Sequence, residues 1–209
     1  MKKILFFCLS AVLACSAGLA FAAPRASKNA SSGTGDGKSK AFFVIYTDQQ
    51  SMQNHYAPSG WMGDYGDIKL NNGCLENPKT GKSCIKITYN AKGAQGAGWC
   101  GIYWQYPPNN WGEKKGYNLT GAKKLTFWAR GASGGERISE FKVGGLTGSV
   151  PDTDSNAIGP IELEKSWKQY TIDLTGKDLS NICGGFAFSA SRDDNPDGME
   201  MYFDEIVFE

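Results

Sequence analysis

The chain has 209 residues, with 22 basic and 21 acidic side chains and one histidine. So even a balance gives no electrostatic reason to expect DNA, RNA or an anionic membrane as a partner. The single histidine, His55, excludes a His-rich metal centre and makes any Ser-His-Asp catalyst depend on that one residue. Glycine (27) and proline (8) mark a turn-rich chain, while 6 Trp, 9 Tyr and 11 Phe supply the apolar bulk of a folded core.

The first residues read as an address. Met1-Lys2-Lys3 is a positive start, Ile4 to Ala14 is apolar, and Ala20-Phe21-Ala22 offers the small residues a signal peptidase reads. Residues 1–23 are therefore expected to be an export signal. Without them the net charge is about −1, and about 185 residues remain, enough for one domain with a substantial core. A membrane anchor competes for the same apolar run. Val12-Leu13-Ala14-Cys15 resembles a bacterial lipobox, which would place a lipid on Cys15 and tether the protein to a surface. The expected location is secreted, or periplasmic or cell-surface, with no transmembrane segment in the mature chain. Pro24 to Lys40, PRASKNASSGTGDGKSK, has no aromatic or large aliphatic residue. Residues 24–41 are thus expected to be a flexible spacer, and 42–209 a single domain, monomeric.

From Phe42 onward short alternating segments are separated by Gly, Pro, Asn and Asp. The predicted strands are Phe42–Asp48, Ser83–Tyr89, Trp99–Gln105, Lys123–Arg130, Arg137–Val143, Trp167–Leu174, Ile182–Ser189 and Met199–Phe208. In the fourth, Leu125, Phe127 and Ala129 share one face and Thr126, Trp128 and Arg130 the other. In the sixth, Tyr170, Ile172 and Leu174 alternate with Gln169, Thr171 and Asp173. This is the pattern of half-buried antiparallel sheets. About eight strands without a helical period give an all-β fold, a two-sheet antiparallel sandwich or jelly roll.

Four cysteines follow the signal: Cys74, Cys84, Cys100 and Cys183. They allow three connectivities. Cys74–Cys84 with Cys100–Cys183 is favoured, because the first pair brackets a turn-like segment, LENPKTGKS, whose closure is local. Such a bridge contributes up to about 3 kcal/mol on the chain-entropy account. No C-x-x-C spacing suggests zinc.

The aromatic residues give the sharpest signal. Trp61, Tyr65, Trp99, Tyr103, Trp104, Tyr106 and Trp111 fall in PSGWMGDYGD and GAGWCGIYWQYPPNNWG, where Gly, Pro and Asn turn the backbone. A large ring in a loop wastes burial free energy unless it has a task. A flat exposed ring suits a sugar, whose C–H face stacks on indole while polar side chains bond its hydroxyls. Covering about 60–100 Å² of one Trp contributes about 1.5–2.5 kcal/mol, so two or three rings give only micromolar to millimolar affinity. Trp61, Tyr65, Trp99, Trp104 and Trp111 are the candidate contacts, with Asp64, Asp67, Asn109 and Asn110 interleaved. The alternative places these rings as plugs at the ends of the sandwich. Trp128 and Arg130 share one strand face and Glu140 and Lys142 another; pointing outward on one sheet, they would form a second sugar surface, with Arg130 and Lys142 as contacts.

Acidic residues raise a metal. Asp48 ends the first strand and Asp204 lies in the apolar YFDEIVF, where a carboxylate is costly unless paired or metal-bound. Calcium takes six to eight oxygens, so two carboxylates with loop carbonyls suffice; a salt bridge is the plainer reading. Asp193 to Gly198 echoes a calcium loop but contains Pro196 and lacks flanking helices, which favours an Asp/Gly hairpin turn. Catalysis has little support. Glu200 and Asp204 lie on one strand face about 13 Å apart by strand rise, too far for the carboxyl pair of a retaining glycosidase.

The segments FFVIYTD, SGKSCIKITY, LTGAKKLTFWARG, SWKQYTIDLTGKDLSNICGGFAFS and MEMYFDEIVFE together resemble the galactose-binding-like jelly roll. Many secreted carbohydrate-binding modules of bacterial glycoside hydrolases have that fold. The resemblance spans about residues 42–209, most specifically W-x-x-Y-x-I-D-L at 167–174 and Y-F-D-E at 202–205. It implies a structural calcium held by Asp48, a carbonyl near Lys82, and Asp204, and a non-catalytic protein that binds a polysaccharide or other glycan. An envelope or adhesion protein using the sandwich as a scaffold for protein contacts is the alternative.

Overall fold

Period-2 alternation builds this domain, and the segments where it is clearest become the centres of its sheets. The computed structural model describes residues 43–209. The expected export signal at 1–23 and spacer at 24–41 lie outside the described residues. Thirteen strands run through them: β1 (Phe43–Tyr46), β2 (Ala57–Gly63), β3 (Ile68–Cys74), β4 (Cys84–Tyr89), β5 (Trp99–Gln105), β6 (Lys124–Gly131), β7 (Arg137–Ile138), β8 (Glu140–Gly144), β9 (Ser155–Ile158), β10 (Ile161–Glu162), β11 (Lys168–Asp173), β12 (Gly184–Ser191) and β13 (Met199–Phe208).

The first sheet runs β11-β6-β13-β4-β3, with β1 beside the second half of β13; the second runs β2-β5-β12-β8-β9. All the pairings are antiparallel, and β7 with β10 makes a small ribbon. This is the two-sheet sandwich of the sequence reading. The turn at Asp193–Gly198 joins β12 to β13 and so crosses from the second sheet to the first, not within a hairpin. Asn195 holds it, donating to the carbonyls of Arg137 and Ser191 (2.8 and 3.0 Å).

Leu125, Phe127 and Ala129 are wholly buried, as are Ile102, Phe141 and Phe186 from the second sheet. Rings interlock between the layers: Phe127–Phe141 at 4.7 Å, Trp104–Phe203 at 6.3 Å and Phe186–Phe203 at 5.8 Å between centroids. Trp104 belongs here. It is only 2% exposed, because β5 turns Cys100, Ile102 and Trp104 inward and Trp99, Gly101 and Tyr103 outward. Its assignment as a sugar contact is thereby corrected.

The strands that the pattern did not predict are β2, β3, β9 and β10. β2, β3 and β9 lie at sheet edges, where one flank needs no partner and Pro, Gly and Asn are tolerated. The predicted Arg137–Val143 strand divides at Ser139, with β7 in the ribbon and β8 in the second sheet.

The cysteine pairing is corrected in one half. Cys100 lies opposite Ala190, while Cys183 precedes Gly184, which lies opposite Gln105. The two are thus about 20 Å apart along the ladder, beyond the reach of a disulfide, and they face opposite sides of the sheet. Cys74 and Cys84 are direct cross-strand partners. All four thiols are free and buried.

Removing a buried indole leaves a cavity between the sheets. Trp104→Ala is expected to destabilise the domain by about 3–5 kcal/mol, and Trp111→Ala, from a ring 41% exposed, by less than about 1 kcal/mol. Urea unfolding of the two variants checks the contrast.

Candidate functional site

The outward side chains of the second sheet follow from its register. One row reads Gly60, Tyr103, Ala187, Lys142 and Ala157; the next reads Met62, Gly101, Ser189 and Glu140. Small residues dominate the middle of both rows and set a low floor, the trough; Gly60 and Gly101 are buried in it, and Tyr103 and Ala187 pack there with Leu146 and Met62. Gly101 is confined: a Cβ there would stand 2.6 Å from the Phe188 carbonyl and 3.0 Å from the Met62 methyl. The Phe188 backbone and the Met62 methyl already take that space, so the strand packs closely here only with glycine.

Aromatic rings bound this trough. Trp99 and Tyr103 share the outward face of β5, about 13 Å apart by strand rise. Trp111 leans edge-on against Tyr103, with centroids 6.4 Å apart. Trp99 is 40% exposed and Trp111 41%, while Tyr103 is nearly covered and donates its hydroxyl to the Gly144 carbonyl at 3.0 Å. Glu140 and Lys142 take no ion-pair partner among the described residues, so both heads are available to a ligand.

The loops carrying the rings are held by buried polar side chains. Asp64 takes N–H groups from Gln95, Ala97 and Gly98 at 2.8–2.9 Å, and its own N–H donates to the Trp99 carbonyl at 2.7 Å. Asp67 takes those of Gly93 and Ala94. Gly63, at φ 62°, packs against the Trp99 backbone and ring, where a Cβ would collide. Beside Trp111, the Asn110 carbonyl oxygen accepts from Gly112, Glu113 and Lys114, and its amide donates to Tyr106 and Lys114. The interleaved Asp64, Asp67 and Asn110 therefore hold loops and do not face a ligand.

Other sequence candidates lie apart. Trp61 pairs with Ile102, on the inward side of an edge strand, and is 37% exposed without joining the trough. Tyr65, 52% exposed, sits on a short 3-10 turn (Tyr65–Asp67) whose Gly66 N–H bonds Gln95 in the loop before Trp99. His55 is a loop residue whose ring packs on Phe43, tilted by 34° with centroids 4.0 Å apart. Trp128 and Arg130 lie on the first sheet and Glu140 and Lys142 on the second, so the single second sugar surface does not form. Arg130, 9% exposed, is roofed by the loop 75–83. Its guanidinium lies 3.6 Å from the Tyr202 ring and donates to the Glu76 carbonyl at 3.0 Å. Lys79 of the same loop lies 3.8 Å over Trp128.

Asp48 and Asp204 converge on this loop. Asp48 Oδ1 accepts the N–H groups of Lys82 and Ser83 at 2.9 and 2.7 Å and the Ser83 hydroxyl at 3.0 Å. Burial raises the Asp48 pKa, but these bonds outweigh it and hold the carboxyl below the usual range. Asp204 Oδ2 accepts from Lys79 and Thr80 and Oδ1 from Glu205, yet burial pushes its carboxyl up to about 6. Glu205 occupies a bulge with φ 50° and accepts a hydrogen bond from the Thr80 hydroxyl. Glu200 pairs with Lys86 at 3.2 Å.

Two clefts lie elsewhere. One, of about 490 Å³, is lined by Glu136, Asp194, Asp197 and Glu200 without Lys or Arg; another, of about 450 Å³, lies beside Asp48 and Leu75. Neither carries an exposed aromatic ring. No helix among the described residues is long and apolar enough to cross a membrane.

With this geometry in view, comparison with solved structures gives one class: the fold is that of jelly-roll carbohydrate-binding modules. A family 30 carbohydrate-binding module superposes with a TM-score of 0.54 at 14% identity, over 80% of this chain and 97% of that one. The family 30 module of the cellulosomal cellulase Cel9D-Cel44B of Clostridium thermocellum gives 0.51 at 14% identity, over 79% and 95%. The family 11 module from Clostridium thermocellum, in complex with a β-1,3-1,4-mixed-linked tetrasaccharide, gives 0.50 at 15% identity, over 77% and 91%. No family model and no curated protein matches the chain.

Backbone N–H bonds, led by that of Ala97 for Asp64 and Ser155 for Asp154, hold both carboxyls below their ordinary value. A depressed folded-state pKa contributes stability that is full above about pH 4 and lost as pH falls through the folded value. Thermal melts from neutral pH down to about pH 2 should show this loss. Asp64→Asn should lower Tm at neutral pH and flatten the acid limb.

Proposed function

We propose that this protein is a secreted, non-catalytic carbohydrate-binding protein that takes a polysaccharide in the trough on the outer face of its second sheet. The observation that carries the reading is the alternation of β5, which presents Trp99 and Tyr103 outward with Gly101 between them and Trp111 beside Tyr103. Rings at both ends of a low floor offer stacking surfaces to an extended chain, and the unpaired Glu140 and Lys142 offer hydroxyl partners. The fold likeness to carbohydrate-binding modules supports the same reading. Export rests on residues 1–23, with tethering through Cys15 as its surface-held form. The protein acts as a monomer, with no nucleic-acid partner, in keeping with its even charge.

Affinity electrophoresis in gels containing mixed-linkage β-glucan, xylan or mannan tests the proposal. Retardation is expected for the parent chain, reduced at least tenfold in affinity by Trp99→Ala or Trp111→Ala, since one stacked ring contributes about 1.5–2.5 kcal/mol. Trp61→Ala, on the other side of the edge strand, should leave it intact. Unretarded migration across the panel would refute the reading.

Calcium belongs to the same proposal. Asp48 and Asp204, both directed at the loop 79–83, bring the charge a hard cation needs, with a carbonyl near Lys82 as the backbone ligand. Binding would turn away the N–H donors that now occupy three of the four carboxylate oxygens. A bound cation stabilises the native state, so melts in calcium should exceed those in chelator. Identical melts would leave the two acids as loop anchors alone.

A further inference from the structure

Cys74 and Cys84 sit directly opposite each other where β3 and β4 end, just beyond a register shift in β3. Opposed residues of an antiparallel pair have Cα atoms about 4.5–5.5 Å apart, within the roughly 4.4–6.8 Å a disulfide spans. The two thiols share a small apolar cluster with Tyr202, flanked by Ala132 and Trp167 on the outer face of the first sheet. The nine residues between them, 75–83, form the roof over that cluster. Tyr202 donates to the Glu76 carboxylate at 2.7 Å, Trp167 to the Asn77 carbonyl at 2.9 Å, and Arg130 to the Glu76 carbonyl at 3.0 Å. The other two described cysteines have no such neighbour: Cys100 lies in the main core and Cys183 at the far end of the ladder.

We propose that Cys74 and Cys84 are an oxidation site that closes into a single disulfide across the base of the roof loop, while Cys100 and Cys183 stay thiols. The oxidant is a low-molecular-weight disulfide. One cysteine thiolate attacks a sulfur of that reagent and expels one thiol, giving a mixed disulfide. The second cysteine attacks the mixed disulfide and expels the other thiol, and the two cysteine protons end on the two released thiols. Cys84 is fully buried and Cys74 nearly so, beneath the roof loop. Exchange is therefore slow in the folded protein. The bridge forms during folding, before the roof closes, and the roof then shields it from reductant.

The test is to unfold the full chain in reductant and refold it in oxidised and reduced glutathione. Remaining thiols are then alkylated and the non-reduced tryptic peptides mapped. Cleavage at Lys69, Lys79, Lys82 and Lys86 separates the two cysteines. The expected product is Leu70–Lys79 joined to Ser83–Lys86, with Cys100 and Cys183 alkylated. Recovery of both peptides alkylated and unlinked overturns the proposal, as does either one joined to a peptide carrying Cys100 or Cys183. Reduction should lower Tm by about 5–10 °C in the parent chain and leave Cys84→Ser unmoved; an equal fall in that variant would show that the bridge is not the cause. Neither readout involves a glycan, so the result stands apart from the binding proposal.

Discussion

Carboxylates that collect backbone N–H groups hold the loops of this protein, and the loops set its aromatic face. Asp64 receives three such donors and Asp67 two; Asp152 receives those of Leu146, Cys183 and Gly184, and Asp204 those of Lys79, Thr80 and Glu205. A turn-rich chain has many N–H groups that no neighbouring strand can pair, and leaving them buried and unmatched is costly. An ionised carboxylate accepts several at once through short, charge-assisted bonds. Those donors in turn offset the cost of burying the charge. Asp64 shows what this achieves: it fixes the run before Trp99 and, through its own N–H, the Trp99 carbonyl, so the ring stands over the sheet on a fixed backbone.

The two sheets of the sandwich share one core but have opposite exteriors. Over the first sheet the loop 75–83 is drawn down by Asp48, Asp204, Arg130, Tyr202 and Trp167, so the aromatic and cationic groups there pair with one another. Over the second sheet the loop 145–154, held by Asp152, lays Leu146 only on the Tyr103–Ala187 end. Ala157, Ala187, Ser189, Gly60 and Gly101 keep that surface low, and Trp99 and Trp111 stand at its margins. Similar residues thus serve cohesion on one side and are open to a ligand on the other. The difference lies in whether a neighbouring loop reaches them.

The architecture was legible wherever alternation was strong. Leu125, Phe127 and Ala129 enter the core as their spacing requires, and Trp99–Gln105 and Met199–Phe208 are strands at those very bounds. β2 escaped detection because APSGWMG carries one proline and two glycines, and β3 because IKLNNGC ends in polar turn formers. Both are edge strands, where such residues are tolerated. The site was half legible. Trp111 stands exposed as its loop setting suggests, and Trp99 because it opens β5 on the outward side. Trp104 does not, because WCGIYWQ is a strand, and a strand sends neighbouring tryptophan and tyrosine to opposite sides. Applied to that segment, the same alternation would have picked out Tyr103 and Gly101 as trough residues.

The amino-acid sequence by itself determined the all-β class, the interior face of each central strand, and a surplus of aromatic residues beyond what one core takes in. These follow from local spacing, which is a property of neighbours along the chain. Which rings meet solvent, which acids anchor loops, and which cysteines face each other depended on the tertiary structure. Strand register and loop closure bring together residues far apart in the chain: Asp204 with Lys79, Arg130 with Glu76, Tyr103 with Lys142. No periodicity within a single segment encodes those encounters, because each depends on where two separate stretches of backbone come to lie side by side.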